Sequence, residues 1–182
     1  MYNKLALIDL IKEFALKFGD FTLASGKKAS FYLDCRKVTL HPRGANLIAE
    51  GILELLGDDL PDAVGGMAIG ADPITAAVIT VAGQQGKPVN GFIVRKESKE
   101  HGTGRDVEGP VKTGDSVVIV EDTTTTGGSS LKAIEKAEAA GLKVTGVISI
   151  VDRLAGASEI FAERGYPLRS LLTIRDFGIE PE

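Results

Sequence analysis

Apolar positions change their period several times along this chain, and each change marks an element. From Leu5 to Phe18, the residues Leu7, Ile8, Leu10, Ile11, Phe14, Ala15 and Phe18 recur at the spacing of an amphipathic helix, which Gly19 closes. Phe21 to Arg36 reads as two short extended pieces about a Ser25-Gly26 turn. Pro42 suits the first position of a second helix behind His41, a cap-region residue, with Gly57 at the far cap. The pattern then settles into alternation. A strand over Ala63 to Ile69 leads through a Gly70-Ala-Asp-Pro73 turn into a helix over Ile74 to Ala82, and a strand follows over Val89 to Val94. Val117 to Val120, Lys143 to Val151 and Leu168 to Ile174 give further strands, with helices over Ser130 to Ala140 and Ser158 to Arg164. An unbroken β-branched run such as Val117 to Val120 is the mark of a strand buried on both faces. Strands and helices alternating in this way predict one α/β domain over 1–182, a mostly parallel, twisted sheet flanked by helices.

Arg95 to Asp115 breaks this order. It holds almost no apolar residue but carries Gly102, Gly104, Gly109 and Gly114 at hinge and turn positions. A loop of this length in a small domain is a lid, a binding loop or a linker, and Val107 to Val111 is expected to form a small hairpin arm within it. Arg95, Lys96, Lys99, His101 and Arg105 put several positive donors on it, interleaved with Glu97, Glu100 and Asp106. Charge-assisted bonds from such a loop suit phosphate oxygens.

Composition narrows the function. No apolar run approaches the length of a membrane span, and the N-terminus, with Asp9, Lys12 and Glu13 among its apolar residues, does not read as a signal peptide. A single cysteine, Cys35, excludes an internal disulfide, fits a reducing, cytoplasmic compartment, and is expected to pack as a small apolar residue. Net charge −4 and pI ≈ 5.3 give no footprint for nucleic acid.

The chemistry concentrates after Val120. Glu121-Asp122 is followed by Thr123, Thr124, Thr125, Thr126, Gly127, Gly128 and Ser129, and then by a helical stretch. Turn amides, hydroxyls and a helix N-terminus form an anion site, and the glycines let the backbone approach closely. The acid pair would repel a phosphate but accepts hydrogen bonds from sugar hydroxyls. Together they suggest a ribose 5-phosphate. The Walker pattern is absent.

Val117 to Ser129 resembles the 5-phosphoribosyl-1-diphosphate (PRPP) motif of type I phosphoribosyltransferases. Arg95-Lys96, Lys99 and His101-Gly102 with Gly104 resemble the catalytic loop of orotate phosphoribosyltransferases. Phe21-Thr22-Leu23, Ser25-Gly26, Ser30-Phe31-Tyr32 and Asp152-Arg153 resemble further motifs of that family. The likeness covers roughly residues 19 to 153. It implies the type I phosphoribosyltransferase fold, with a small N-terminal hood and helix (about 1–40), a core (41–182) and a long flexible loop. It also implies transfer of the 5-phosphoribosyl group from PRPP to orotate, giving orotidine 5′-phosphate and diphosphate in pyrimidine synthesis, with Mg²⁺.

By this resemblance Lys99, His101 and Asp122 are catalytic. Arg95, Lys96, Lys99 and His101 bind diphosphate, Glu121 to Ser129 hold the ribose and its phosphate, and Thr125 and Arg153 meet orotate. Gly70 to Pro73 resembles the family's diphosphate loop. No side chain is assigned as a metal ligand. The family's active unit is a homodimer whose 95–105 loop would act on the neighbouring subunit's site. Ala24 stands where some members carry a lysine; Lys27 or Lys28 replaces it or belongs to a solvated turn. Phe31 and Tyr32 fit either the core or a lid on the pyrimidine. Two rival readings remain: the same class acting on a purine, which would not need Arg153 for a carboxylate, and a regulator that senses PRPP.

Overall fold

The computed structural model describes residues 2–22, 28–97 and 106–181. Helix α1 (Lys4–Leu10) opens on Asn3, whose side chain accepts the Ala6 N–H at 3.0 Å. It continues through one wider, π-type turn (Ile11–Ala15) and gives way to strand β1 (Leu16–Thr22), antiparallel to β2 (Lys28–Leu33). The helix expected to reach Phe18 therefore stops short: Leu16, Lys17 and Phe18 pair with Leu33, Tyr32 and Phe31. Apolar spacing alone serves either element here, and the ladder to β2 supplies backbone partners that a frayed helix end lacks. The Ser25-Gly26 turn, Ala24 and Lys27 lie outside the described residues.

A short helix α2 (Arg36–Thr39) leads to α3 (Pro42–Leu56). His41 caps α3, its Nδ1 accepting the Gly44 N–H at 3.4 Å, Pro42 sits in the first turn, and Gly57 ends the helix at φ 65°, as expected. The rest of the chain runs β3 (Ala63–Met67), α4 (Asp72–Gln84), β4 (Asn90–Val94), β5 (Val107–Glu108), β6 (Ser116–Thr124), α5 (Gly128–Ala139), β7 (Lys143–Asp152), α6 (Ala157–Glu163) and β8 (Leu168–Thr173). Among the described residues the main sheet has the order β5-β4-β3-β6-β7-β8 and is parallel except for β5 against β4. The hairpin arm is thus reduced to one short strand.

The sheet is covered on both faces, and β6 shows why its apolar run is unbroken. Val117 and Ile119 pack with Ala133, Ile134 and Ala137 of α5 and Phe161 of α6. Val118 and Val120 join the opposite core with Ile48 and Ile52 of α3 and Val78 of α4, where Leu7 and Ile11 of the N-terminal helix also pack. Each buried valine, leucine, isoleucine or phenylalanine among them contributes about 1.5–3 kcal/mol relative to exposure. The chain builds from β3 outward to β4 and β5, then returns past β3 to β6. The carboxyl ends of β3 and β6 consequently flank a crevice where strand order reverses, the place where open α/β sheets bind ligands. No helix among the described residues is long and apolar enough to cross a membrane.

Candidate active site

Strand β6 does not stop at Val120. Glu121, Thr123 and Thr124 stay in register with Ser149, Val151 and Asp152 of β7, because β7 is equally long and extends the ladder. The acid pair, expected in a loop, therefore stands on a rigid strand. Successive strand residues face opposite ways. Glu121 follows Val117 and Ile119 toward α5, where its Oε2 accepts the Ser130 Oγ–H at 3.1 Å. Asp122 Oδ1 accepts the Thr123 N–H at 2.7 Å. A Cβ built on Gly70, in the turn after β3, would lie 3.6 Å from Asp122 Cγ and from Glu121 Oε1, so that turn backs onto both acids. The Ala68–Ile69 peptide just before it is cis.

Beyond Thr124 the chain turns through Thr125 and Thr126 into α5. Gly127 caps this helix at φ 79°, and a Cβ there would meet the Phe161 ring at 2.7 Å, so conformation and packing both require glycine. Glu121, Thr123 to Gly128, Ser129 and Ser130 line a cavity of ≈ 200 Å³. The first amides of a 12-residue helix point at it without intrahelical partners. Thr124 Oγ1 is buried with no hydrogen-bond partner among the described residues, an orphan group at the floor of the site.

Burial, and then the Asp122 charge, push Glu121 up to about 7. Asp122 is also raised, chiefly by burial. These two acids hold protons more tightly than ordinary carboxylates, a state that an approaching cation or a set of hydroxyl donors would relieve.

Arg153 follows β7 directly. Its N–H donates to Thr124 O at 2.9 Å, and Asp152 Oδ1 accepts the Leu154 N–H at 2.8 Å, with Leu154 at φ 55°. The guanidinium lies 4.8 Å from the centroid of the Phe31 ring on β2. Phe31 is 5% exposed and belongs to the core, whereas Tyr32 is 41% exposed. Cys35 packs in the core as expected. Its thiol accepts the Thr123 Oγ–H at 3.4 Å and is pushed up to about 12 by burial.

The cationic residues are distributed differently. Arg95 pairs with Glu108, Nε and the guanidinium NH2 lying 3.0 Å and 2.9 Å from Oε1. Lys96 lines a separate cavity of ≈ 520 Å³ with Met67, Glu97, Ser129, Lys132, Glu135 and Lys136, which meets the cradle at Ser129. Lys99, His101 and Arg105 lie outside the described residues. Lys28 is exposed on β2. A larger cavity of ≈ 590 Å³ lies toward the far end of α5 and contains neither the acid pair nor the threonines. Sequence reading missed Ser130 as a partner of Glu121 and Phe31 as the seat of Arg153. Ser130 was legible only as a hydroxyl in the first helical turn after the glycines.

A crevice at the strand-order reversal, with an acid pair beside a turn of hydroxyls, glycines and helix amides, goes with the class that the fold defines: a type I phosphoribosyltransferase. No protein-family model matches the chain. It is 57% identical over 181 residues to an orotate phosphoribosyltransferase of Rhodopirellula baltica (96% of this chain, 94% of that protein). It is 48% identical over 173 residues to one of Corynebacterium glutamicum (95% and 92%). It also superposes on Mycobacterium tuberculosis orotate phosphoribosyltransferase in complex with PRPP with TM-score 0.82 at 36% identity (97% and 99%). The chain belongs to the orotate phosphoribosyltransferase family.

Proposed function

We propose that this chain transfers the 5-phosphoribosyl group of PRPP to orotate, releasing diphosphate and forming orotidine 5′-phosphate in pyrimidine nucleotide synthesis. The observation that carries this reading is the juxtaposition of the Glu121–Ser130 cradle with Arg153, tied to it by the Arg153 N–H to Thr124 O bond. The cradle takes the 5-phosphate on the amides and hydroxyls of Thr125 to Ser129 and the ribose hydroxyls on Glu121 and Asp122. Arg153 offers a planar fork to the orotate carboxylate, for which a bidentate ion pair is the natural partner.

During transfer the bond from C1 to the diphosphate oxygen breaks with its electrons leaving on diphosphate, and the ring nitrogen bonds to C1. Positive charge on the sugar develops opposite Asp122 and Glu121, which are fixed on a strand and need no rearrangement to meet it. Lys99 and His101, with Lys96, would meet the negative charge on the leaving group.

The donor set suits Mg²⁺. Magnesium prefers carboxylate and phosphate oxygens and often uses only one or two protein carboxylates alongside substrate phosphates. Among the described residues no group of three or more acid, histidine or cysteine side chains could hold a metal ion by itself, and Glu121 and Asp122 are the carboxylates that would hold it with the substrate. When bound, the ion neutralises diphosphate charge. We further propose a cytoplasmic homodimer in which the 95–105 loop serves the neighbouring subunit's site; an unpaired, buried Cys35 supports the compartment. The test is loss of orotate absorbance with PRPP and Mg²⁺. Steady loss with release of diphosphate is expected, and no loss with orotate but turnover with a purine base would transfer the reading to another base.

A further inference from the structure

Lys136 lies on α5, two turns beyond the glycines and hydroxyls of the β6–α5 turn, and has no part in the chemistry proposed above. Its ammonium donates to Arg95 O at 2.7 Å and Lys96 O at 3.3 Å, and meets Asp106 Oδ1 at 3.4 Å. Arg95 and Lys96 are where the chain leaves β4 toward residues 98–105, and Asp106 is where it returns. Both roots of that segment therefore converge on one side chain. The Arg95 N–H also donates to Asp106 O at 2.8 Å, and the Arg95 guanidinium is held by Glu108 on β5. The stem is thus a closed knot, and Lys136 is its tie to the helix that carries the cradle.

The space around this tie is otherwise poorly filled. The ≈ 520 Å³ cavity lies between Lys96-Glu97 and Lys132, Glu135 and Lys136 of α5. The ≈ 590 Å³ cavity lies between Asp106-Val107 and Lys136 and Ala139 of the same helix, with Ala140 just past its end. Lys136 is in the wall of both, a strut between stem and helix with open volume on either side. A lysine held with its three donors directed at two carbonyls and a carboxylate gives up rotamer freedom that a surface lysine keeps. Loss of those bonds would remove this tie between the stem and the helix.

We propose that Lys136 is a positioning residue for phosphoribosyl transfer: by fixing residues 95, 96 and 106 against α5, it sets where the segment carrying Lys99 and His101 starts, and so how it can reach the diphosphate in the neighbouring subunit's site. This rests on the reading that Lys99 and His101 act on diphosphate. A displacement of about an ångström at catalytic groups costs on the order of a hundredfold in rate. Loss of one tie among several should cost about tenfold.

Lys136→Met keeps the stem length and removes the donors. It is expected to lower kcat about tenfold while KM for orotate changes less than about twofold, because Arg153 is untouched. Lys136→Arg, which restores charge and donors, should recover most of the loss. In a Lys99→Ala, His101→Ala background Lys136→Met should add less than about twofold, since both groups it positions are already gone. Hydrogen exchange supplies a readout independent of turnover: the Arg95 amide should exchange about tenfold faster in Lys136→Met and unchanged in Lys132→Met.

Wild-type kcat in Lys136→Met, or a full tenfold loss that adds to the Lys99→Ala, His101→Ala background, overturns the positioning role. Unchanged exchange at Arg95 overturns the tie itself. If the wild-type protein consumes no orotate while Arg95 still loosens in Lys136→Met, the functional reading fails and the positioning role with it, and the tie stands as architecture alone.

Discussion

Arg153 illustrates how one side chain acquires a job from its neighbours. Its backbone is fixed to Thr124 and its guanidinium lies over a buried Phe31 ring, so the fork is held in place before a ligand arrives. Charged hydrogen bonds contribute about 1.5–3 kcal/mol. Arg153→Ala should therefore lower kcat/KM for orotate about 10- to 100-fold while leaving KM for PRPP within about twofold, measured by varying each substrate in turn. Thr124 offers the opposite experiment. A buried hydroxyl without a partner costs about 1–3 kcal/mol. Thr124→Val should raise the stability of the ligand-free protein by up to about 1 kcal/mol and weaken PRPP binding, read by urea unfolding and calorimetry. Loss of stability in the variant would show that the hydroxyl is satisfied in solution. At this scale the sequence disclosed residue types and little about partners. Glu121, Asp122 and the threonines could be picked out because acids next to hydroxyls and glycines are chemically unusual. The pairing of Arg153 with Phe31, or of Thr123 with Cys35, joins residues far apart in the chain and left no local mark.

Elements whose limits are set locally were readable. His41, Pro42 and Gly57 bound α3 as cap chemistry demands, and the apolar runs of β3, β4, β6, β7 and β8 emerged as strands. Two boundaries were not readable, for one reason. Leu16 to Phe18 belong to a strand because β2 is there to pair with them, and Glu121 to Thr124 stay extended because β7 runs alongside. Neither partner is visible in a window of ten residues. The turn from β6 into α5 is the most constrained junction of the site. Gly127→Ala would place a side chain at φ 79° and against Phe161, and should cost about 2–4 kcal/mol in chemical unfolding. Adding Phe161→Leu should recover the steric part while PRPP binding stays impaired, because the backbone strain remains.

For the molecule as a whole, the buried acid pair ties stability to pH. Glu121 is raised from its ordinary 4.5 to about 7, and Asp122 moves the same way. The folded chain thus binds protons more tightly than the unfolded chain, so stability falls as pH rises through that window and levels off above it. The unfolding midpoint of the ligand-free protein should drop between about pH 5 and about pH 8, and Glu121→Gln should flatten the slope. PRPP with Mg²⁺ should release protons on binding near neutrality, visible as a buffer-dependent heat.

Global order was legible because alternating strands and helices admit few topologies, and a parallel sheet whose strand order reverses once has one crevice. The pairing of β6 with β7 puts the proposed phosphate cradle and the proposed base reader, Arg153, at the ends of adjacent strands, while Phe31, the ring beneath Arg153, comes from the hairpin near the N-terminus. Redirecting this scaffold to a different base is consequently a two-place edit. A new residue after β7 would find itself on a platform shaped for arginine, and only a matching change in β2 would let the graft take.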